Sequence, residues 1–500
     1  MRLRETILIG LSAVLLVLPF HFGELGFLAF FAFIPYFFAV RQKSSRQVFG
    51  ISFLFGFFYY LMLGFWLGYV NVLGVFLAAA CLSLYFAAFG LFYARWGGRR
   101  FGILWAAPAF WVVLEYVRSW LLTGLPWALL AYSQWKNPLL IQMADVTGAY
   151  GVSYFVLLVN VVLFEMFLKK SARGRLLAVL AVSFFVVLLY GGWRWGRWSG
   201  NGRGGEGNVL RVSVVQGNIP QEQKWDARIK NIIFEKYRRL TLMGALDKPD
   251  LIVWPETSFP GYLEDEPLLA AGLRNLARQA GSHLLVGAPT LGMKKGGLHF
   301  YNSAVLIGPD GEERRRYDKL HLVPFGEYVP MGPFLSWIRY FVHIGRFSAG
   351  GEHTVFTVPS GEALGKAPVK FAAVICFEDI FPSLARRFRR EGADFLINMT
   401  NDAWFGKTTA PYQHAQASIF RAVENRMPVV RAANTGLSCF ISPRGEVTAS
   451  VEEKGEEIFV SGHRTADLSL FPWGFSFYTR FGDVFVGLCG ALCLFLCWKR

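Results

Sequence analysis

Three residues of this chain have side chains that together could carry out acyl transfer: Glu256, Lys319 and Cys376. A cysteine thiolate is a strong nucleophile, and a carboxylate can take the thiol proton and return it to a leaving group. A lysine ammonium can stabilise the oxyanion of a tetrahedral intermediate, helped by the backbone N–H of the residue after the nucleophile, here Phe377. We therefore expect these residues to form a cysteine-based acyl-transfer site without a histidine.

Each of the three residues lies at the end of a predicted β-strand or just after one. LIVWPE (251–256) ends in the glutamate, a hairpin over 301–319 ends in the lysine, and VKFAAVICFE (369–378) carries the cysteine. Taken singly, the residues could be a solvated carboxylate, a surface lysine and a small core residue. The apolar residues before Glu256 and Cys376, and the proline-containing segments that follow all three, favour fixed positions instead. Sites of α/β folds gather at such strand ends.

The segment around these residues alternates between short apolar runs and amphipathic stretches. This alternation predicts an α/β domain in which helices cover sheets. Further strands are predicted at 209–218, 283–290 and 393–402, with a second hairpin over 429–447. Helices are predicted at 226–244, 267–280 and about 411–426.

The rest of the chain is apolar enough to lie in a membrane. A transmembrane helix needs about 20 apolar residues, and eight such runs are present. We place them near 5–22, 24–40, 49–70, 72–94, 101–122, 150–168, 174–192 and 479–498. The predicted organisation is a membrane domain (1–195), a linker (196–208), a catalytic domain (209–470) and a C-terminal transmembrane helix (479–498).

The chain has a net charge of +16, and many of its basic residues lie beside the membrane segments and do not form a nucleic-acid-binding stripe. The basic residues concentrate in alternate connections, as the positive-inside rule predicts for cytoplasmic loops. These residues are Arg2, Arg4, Arg41, Lys43, Arg46, Arg95, Arg99, Arg100, Lys169, Lys170, Arg173, Arg175, Lys499 and Arg500. Both termini are therefore expected in the cytoplasm, and the catalytic domain outside it.

The motifs WPET, KLHLVPFGEYVP and ICFE, together with the preceding spans, resemble the carbon–nitrogen hydrolase (nitrilase) superfamily and its membrane-bound apolipoprotein N-acyltransferase family. The resemblance covers nearly the whole chain and matches Glu256, Lys319 and Cys376 to the Glu–Lys–Cys triad. It implies an α-β-β-α sandwich on eight transmembrane helices. It also implies a ping-pong reaction through a thioester on Cys376.

The resemblance further implies roles for residues around the triad. Glu327 and Glu378 would be supporting carboxylates that orient Lys319 or tune Cys376. Trp225 would line the substrate entrance, and Asn302 would hold the active-site loop. Many members of the family carry tyrosine after the nucleophile, whereas this chain has Phe377, which keeps the backbone donor but lacks the hydroxyl.

In the membrane domain, Glu115 and Arg118 resemble the W-x-x-x-E-x-x-R segment of the family, at 111–118. They lie one helical turn apart, and intramembrane charges serve either function or helix packing. Both roles remain open from the sequence.

The reaction implied by the resemblance moves an acyl chain from the sn-1 position of a phospholipid, usually phosphatidylethanolamine. The acceptor is the N-terminal amine of a diacylglyceryl-cysteine on an apolipoprotein, in the last step of bacterial lipoprotein maturation. We expect no cofactor, no metal ion and no nucleic-acid partner, and a monomer in the bacterial inner membrane with its catalytic domain in the periplasm. Two isolated cysteines, Cys376 and Cys439, do not predict a disulfide framework.

Three other functions have to be weighed. A membrane-tethered amidase or nitrilase would pass its acyl group to water, but a tether needs one helix and this chain has about eight. A non-catalytic binding module is disfavoured by the intact triad. A transporter would carry paired charges or broken helices at the bilayer midplane, and the predicted spans contain few charges, chiefly Glu115, Arg118 and Asp145 near one end.

Overall fold

The computed structural model describes residues 3–96, 102–199, 208–294, 297–329, 345, 347–359, 367–470 and 474–498. It contains two compact units. The helical unit comprises Met1–Asn201, Thr408–Glu424 and Ser476–Arg500, and the sandwich unit comprises Gly202–Lys407 and Asn425–Phe475. Most of the predicted linker, at 200–207, lies outside the described residues, as do Arg2, Arg99, Arg100, Lys499 and Arg500 of the predicted cytoplasmic connections.

The helical unit is built from long apolar helices. Six segments of the described chain are long and apolar enough to cross a membrane: Leu3–His21, Gly23–Val40, Ser45–Leu63, Val72–Trp96, Ala149–Leu168 and Lys170–Arg197. The predicted spans at 101–122 and 479–498 form the helices Gly102–Trp120 and Val484–Trp498, which are not among the six. Shorter helical segments connect them: Phe65–Tyr69, Leu130–Gln134, Pro138–Ile141, Ala144–Thr147 and Phe477–Phe481. The prediction of a helical membrane bundle is confirmed.

The segment Thr408–Glu424 groups with the helical unit, although the prediction placed it within the catalytic domain. Polar contacts explain this grouping. The Gln413 Oε1 atom accepts hydrogen bonds from the indoles of Trp66 (3.2 Å) and Trp127 (3.3 Å). Glu424 accepts the backbone N–H of Ala149 at 2.9 Å. A sequence pattern cannot reveal such long-range partners.

The sandwich unit contains two six-stranded sheets. The strands are β1 Asn208–Gln216, β2 Leu251–Val253, β3 His283–Lys294, β4 Gly297–Ile307, β5 Glu313–Asp318, β6 Val355–Val358, β7 Val369–Ile375, β8 Phe395–Thr400, β9 Val429–Ala433, β10 Cys439–Ile441, β11 Val447–Ser450 and β12 Gly462–Leu470. The first sheet has the order β12-β1-β2-β3-β4-β5 and the second has the order β11-β10-β9-β8-β7-β6. The two sheets pack together, with β1 against β9 and β4 against β7.

Both sheets have parallel centres and antiparallel edges. Strands β1, β2 and β3 are parallel, as are β7, β8 and β9. The central strands are apolar and buried, and β8 is buried along its whole length. Helices Lys230–Ala245 and Pro267–Ala280 pack apolar residues on the first sheet, and helix Pro382–Arg390 follows β7. The predicted α-β-β-α layering is confirmed, and the carboxyl ends of β2 and β7 lie next to the residues predicted to be functional.

Candidate active site

Glu256 and Lys319 come from the first sheet and lie together in its interior. Trp254, at the end of β2, is completely buried, stacks on Tyr237 and donates its indole N–H to Thr241 at 2.8 Å. This anchor fixes the chain two residues before Glu256. The Lys319 Nζ atom is 3.6 Å from the Glu256 carboxylate, and the two residues are only 1% and 7% exposed. An ion pair so deeply buried requires further polar partners.

Glu327 and Asn302 supply those partners. The Lys319 ammonium donates to the Glu327 carboxylate at 3.0 Å. The Asn302 amide N–H group donates to both Glu256 (2.8 Å) and Glu327 (3.1 Å), while its backbone carbonyl accepts from the Lys319 N–H at 2.9 Å. Glu327 also accepts from the backbone N–H of Val323 at 2.8 Å. Asn302 therefore holds the two carboxylates at fixed positions around the lysine.

Cys376 lies at the end of β7, in the second sheet, with a backbone φ of +53°. A positive φ is strained for a residue other than glycine and persists only where the surroundings enforce it. Asn398 donates to the Cys376 carbonyl at 3.0 Å, and Glu378 accepts the Ile375 N–H at 2.7 Å. A 3₁₀ helix, Cys376–Ile380, begins at this sharp turn. The N–H of Phe377, the residue after the cysteine, therefore lies in the first turn of that helix.

Glu378 connects the turn at Cys376 to the loop after Lys319. Its carboxylate accepts the backbone N–H groups of Leu320 (2.7 Å) and His321 (2.9 Å), which directly follow Lys319. The Tyr317 hydroxyl donates to the same carboxylate at 2.8 Å. Burial raises the pKa of Glu378 to about 7, against the opposing effect of these hydrogen bonds.

The electrostatic environment favours an uncharged thiol at rest. Burial raises the pKa of Cys376 well above its ordinary value, the Glu256 carboxylate adds to this effect, and the Lys319 ammonium opposes it. Burial alone would lower the pKa of Lys319, but the carboxylates of Glu327 and Glu256 outweigh it and hold that pKa above its ordinary value. A charged lysine, a carboxylate and a neutral thiol are the states that base-assisted acyl transfer needs.

Within the described part of the chain, no group of three His, Cys, Asp or Glu side chains is placed to hold a metal ion. The described residues of the site instead offer acids, amines and a thiol. The geometry is thus suited to nucleophilic chemistry at a carbonyl carbon.

Two family models match the chain. The carbon–nitrogen hydrolase model matches residues 211–468, and the model of the apolipoprotein N-acyltransferase N-terminal domain matches residues 12–162. An apolipoprotein N-acyltransferase from Geobacter metallireducens is 37% identical over 98% of this chain and 94% of its own length. The chain belongs to the apolipoprotein N-acyltransferase family. It is an acyltransferase of the bacterial inner membrane.

Further relatives and solved structures are also similar to this chain. The proteins of the same name from Allorhizobium ampelinum and Rickettsia prowazekii are 34% and 31% identical, over 83% and 88% of this chain and 80% and 88% of their own lengths. Among solved structures, a variant of the Nesterenkonia AN1 amidase is 18% identical with a TM-score of 0.39, and covers 56% of this chain and 96% of its own. Saccharomyces cerevisiae Nit3 is 20% identical with a TM-score of 0.38, and it covers 52% of this chain and 90% of its own.

The residues named from the family resemblance occupy different kinds of position. Trp225 is 49% exposed, and its role at a substrate entrance stays a prediction. Phe377 lies edge-on to Phe381, with ring centroids 5.2 Å apart. In the helical unit, Arg118 donates to the Tyr60 hydroxyl at 2.8 Å, and Glu115 accepts the Leu130 N–H at 2.7 Å. These two charged residues bind separate partners and no ion pair joins them among the described residues.

Among the residues of this site that sequence reasoning missed is Lys224. Its ammonium lies beside the backbone of Glu256, and it is 5% exposed. Its position directly before Trp225 was visible in the sequence, but a lysine in a polar QEQKW segment has the pattern of a surface residue. Only the folded arrangement places it at the triad.

Proposed function

We propose that this acyltransferase moves a fatty acyl chain from the sn-1 position of a phospholipid to the N-terminal amine of a diacylglyceryl-cysteine on an apolipoprotein, through a thioester on Cys376. In this proposal Cys376 is the nucleophile, Glu256 the general base and acid, and Lys319 the oxyanion stabiliser. The observation that carries this proposal is the buried network in which Asn302 and Glu327 fix the positions of Glu256 and Lys319. The family to which the chain belongs supports the choice of acceptor.

In the first half-reaction, Glu256 takes the thiol proton of Cys376 as the sulfur attacks the ester carbonyl carbon. The negative charge that develops on the carbonyl oxygen is stabilised by the Lys319 ammonium and the Phe377 N–H. Collapse of the intermediate breaks the ester C–O bond. The lysophospholipid leaves as an alcohol after its oxygen takes the proton back from Glu256.

In the second half-reaction, the neutral amine of the acceptor attacks the thioester carbonyl carbon. The same donors stabilise the second oxyanion, and Glu256 takes a proton from the attacking nitrogen. The C–S bond breaks, an amide forms, and the Cys376 sulfur recovers its proton from Glu256. Both halves therefore use one base and one oxyanion site, as a ping-pong reaction requires.

The proposal extends to the location of the catalytic domain. The basic residues beside alternate spans support cytoplasmic termini and a periplasmic catalytic domain at 209–470. A periplasmic position fits an acceptor that is itself a membrane-anchored lipoprotein. We further propose phosphatidylethanolamine as the donor and a monomer as the active form.

The test uses detergent-purified full-length protein incubated with phosphatidylethanolamine alone and weighed intact by mass spectrometry. We expect the mass of one fatty acyl group to be added, and a diacylglyceryl-cysteine peptide to remove it as the peptide becomes N-acylated. Cys376→Ala should show no adduct, whereas Cys439→Ala, which removes a buried thiol of the same unit, should show it. Glu256→Gln should block the adduct by removing the base.

The outcomes separate the proposal from its rival. An adduct that water removes and the peptide does not would favour an amidase-type or nitrilase-type hydrolase. No adduct on a folded protein with an intact thiol would refute the thioester mechanism with this donor.

A further inference from the structure

Lys224 is a second buried lysine at the site, and the mechanism above does not use it. Its Nζ atom donates to the backbone carbonyl of Glu256 at 2.8 Å and to the Thr257 hydroxyl at 2.7 Å. Thr257 has a backbone φ of +44°, which is strained for a β-branched residue. Lys224 thus binds the backbone at the position where its φ becomes positive, immediately after Glu256.

The ammonium of Lys224 has no carboxylate as a direct partner. Neither of its two acceptors is charged, and no ion pair within 4.0 Å involves it in the described part of the chain. Buried charges are normally paired, because removal from water is costly. A lysine left with neutral acceptors beside a nucleophile therefore calls for a functional explanation.

The charges around the thiol supply that explanation. Glu256 and Glu327 each carry −1 and Lys319 carries +1, so this cluster alone is net negative. A thiolate on Cys376 would form against that charge, and Asp402 also disfavours it. The positive charge of Lys224 interacts favourably with both Glu256 and an ionised Cys376. Addition of Lys224 brings the net charge of these two carboxylates and two lysines to zero.

We propose that Lys224 is a positioning residue that fixes the backbone of Glu256 and Thr257 and supplies the second positive charge that supports the Cys376 thiolate. This inference rests on the proposed role of Cys376 as nucleophile. The charged groups that act on the thiol are then Glu256, Asp402 and the two lysines, and Glu327 and Glu378 act in turn on Lys319.

The proposal has a characteristic pH dependence. Burial lowers the pKa of Lys224 to about 8, while Glu256 and Cys376 partly oppose this effect. Below that pH the ammonium supports the thiolate, and above it the support is lost. A purely structural lysine would affect the thiol equally at every pH.

The experiment measures alkylation of Cys376 by iodoacetamide in detergent-purified full-length protein, read by peptide mass spectrometry from pH 7 to 9.5. One unit of thiol pKa changes the thiolate fraction about tenfold. We expect Lys224→Met to slow alkylation about tenfold at pH 7 and less than about twofold at pH 9.5. Lys370→Met is the matched control, because Lys370 is an exposed lysine near the start of β7, six residues before Cys376, and its replacement should leave the rate unchanged.

A slowing that is the same at all pH values, or none, would overturn the proposal. If Lys224→Met fails to fold, Thr257→Ala replaces it, since it removes one acceptor and keeps the charge. The ammonium should then lose its proton at lower pH, which slows alkylation about threefold near pH 8 and not at pH 9.5. Unchanged alkylation at pH 8 would also overturn the proposal. Alkylation needs no lipid, so its result is independent of whether acyl transfer follows the proposed route.

Discussion

Replacement of Asn302 by alanine gives a direct measure of how far the site depends on prearranged carboxylates. The Asn302 amide donates to Glu256 at 2.8 Å and to Glu327 at 3.1 Å. A hydrogen bond to a charged group is worth about 1.5–3 kcal/mol, so the loss of both is expected to cost about 3 kcal/mol at the low end of this range. If the loss falls on the transition state, acylation slows about 100-fold.

The assay is single-turnover formation of the acyl adduct on detergent-purified protein, followed by intact mass. Asn275→Ala is the control, because Asn275 is an asparagine of helix Pro267–Ala280 whose partner is the exposed Arg278. The variant Asn302→Ala should retain its fold, since Lys319 still contacts both carboxylates. Acylation within about threefold of the wild-type rate would refute the reasoning, because the base would then be positioned without the amide.

Three further changes test the same site. Glu327→Gln removes the negative charge of the closer partner of Lys319, at 3.0 Å, and should slow adduct formation at least tenfold. Gly287→Ala should be as damaging, since its Cβ would lie 2.8 Å from the Glu256 Cα, and adduct formation should fall below a tenth of wild type. For Glu378, the folded pKa of about 7 exceeds the ordinary value of 4.5, so stability falls as pH rises between them. The unfolding midpoint of the wild type minus that of Glu378→Gln should therefore become smaller as the pH of the measurement is raised from 5 to 7.5.

Each of these three has an outcome that contradicts it. A wild-type rate of adduct formation in Glu327→Gln would mean that Glu256 alone holds Lys319 in place. A wild-type rate in Gly287→Ala would mean that the backbone at Glu256 can shift without any effect on adduct formation. A midpoint difference that does not change with pH would mean that Glu378 titrates alike in the folded and unfolded chain.

Much of the architecture could be predicted because it depends on local pattern. The helix predicted at 267–280 is found at Pro267–Ala280, and short apolar runs gave most of the strands. Strand β6, over Val355–Val358, and β12, which pairs with β1, were not predicted. Edge strands are only half buried, and the burial of β12 follows no clean alternation. The place of β12 also depends on β1, a partner strand far away in the sequence.

The site was predictable in part for a similar reason. Residue types and strand ends pointed to Glu256, Lys319 and Cys376 as candidates for catalysis. No local pattern could show that Asn302 bridges two acids or that Lys224 is buried. Both facts depend on contacts between residues 25 to 46 positions apart.

The two sheets contribute different parts of the site, which makes their packing part of the chemistry. Glu256 and Lys319 follow strands of the first sheet, and Cys376 follows a strand of the second. Glu378 joins them, because its single carboxylate accepts N–H groups from the loop after Lys319 and from Ile375, just before the sulfur. The position of the thiol relative to the loop after Lys319 is therefore set by a buried carboxylate as well as by apolar packing. A substitution that shifts one sheet by a fraction of an ångström should impair acylation before it measurably lowers stability.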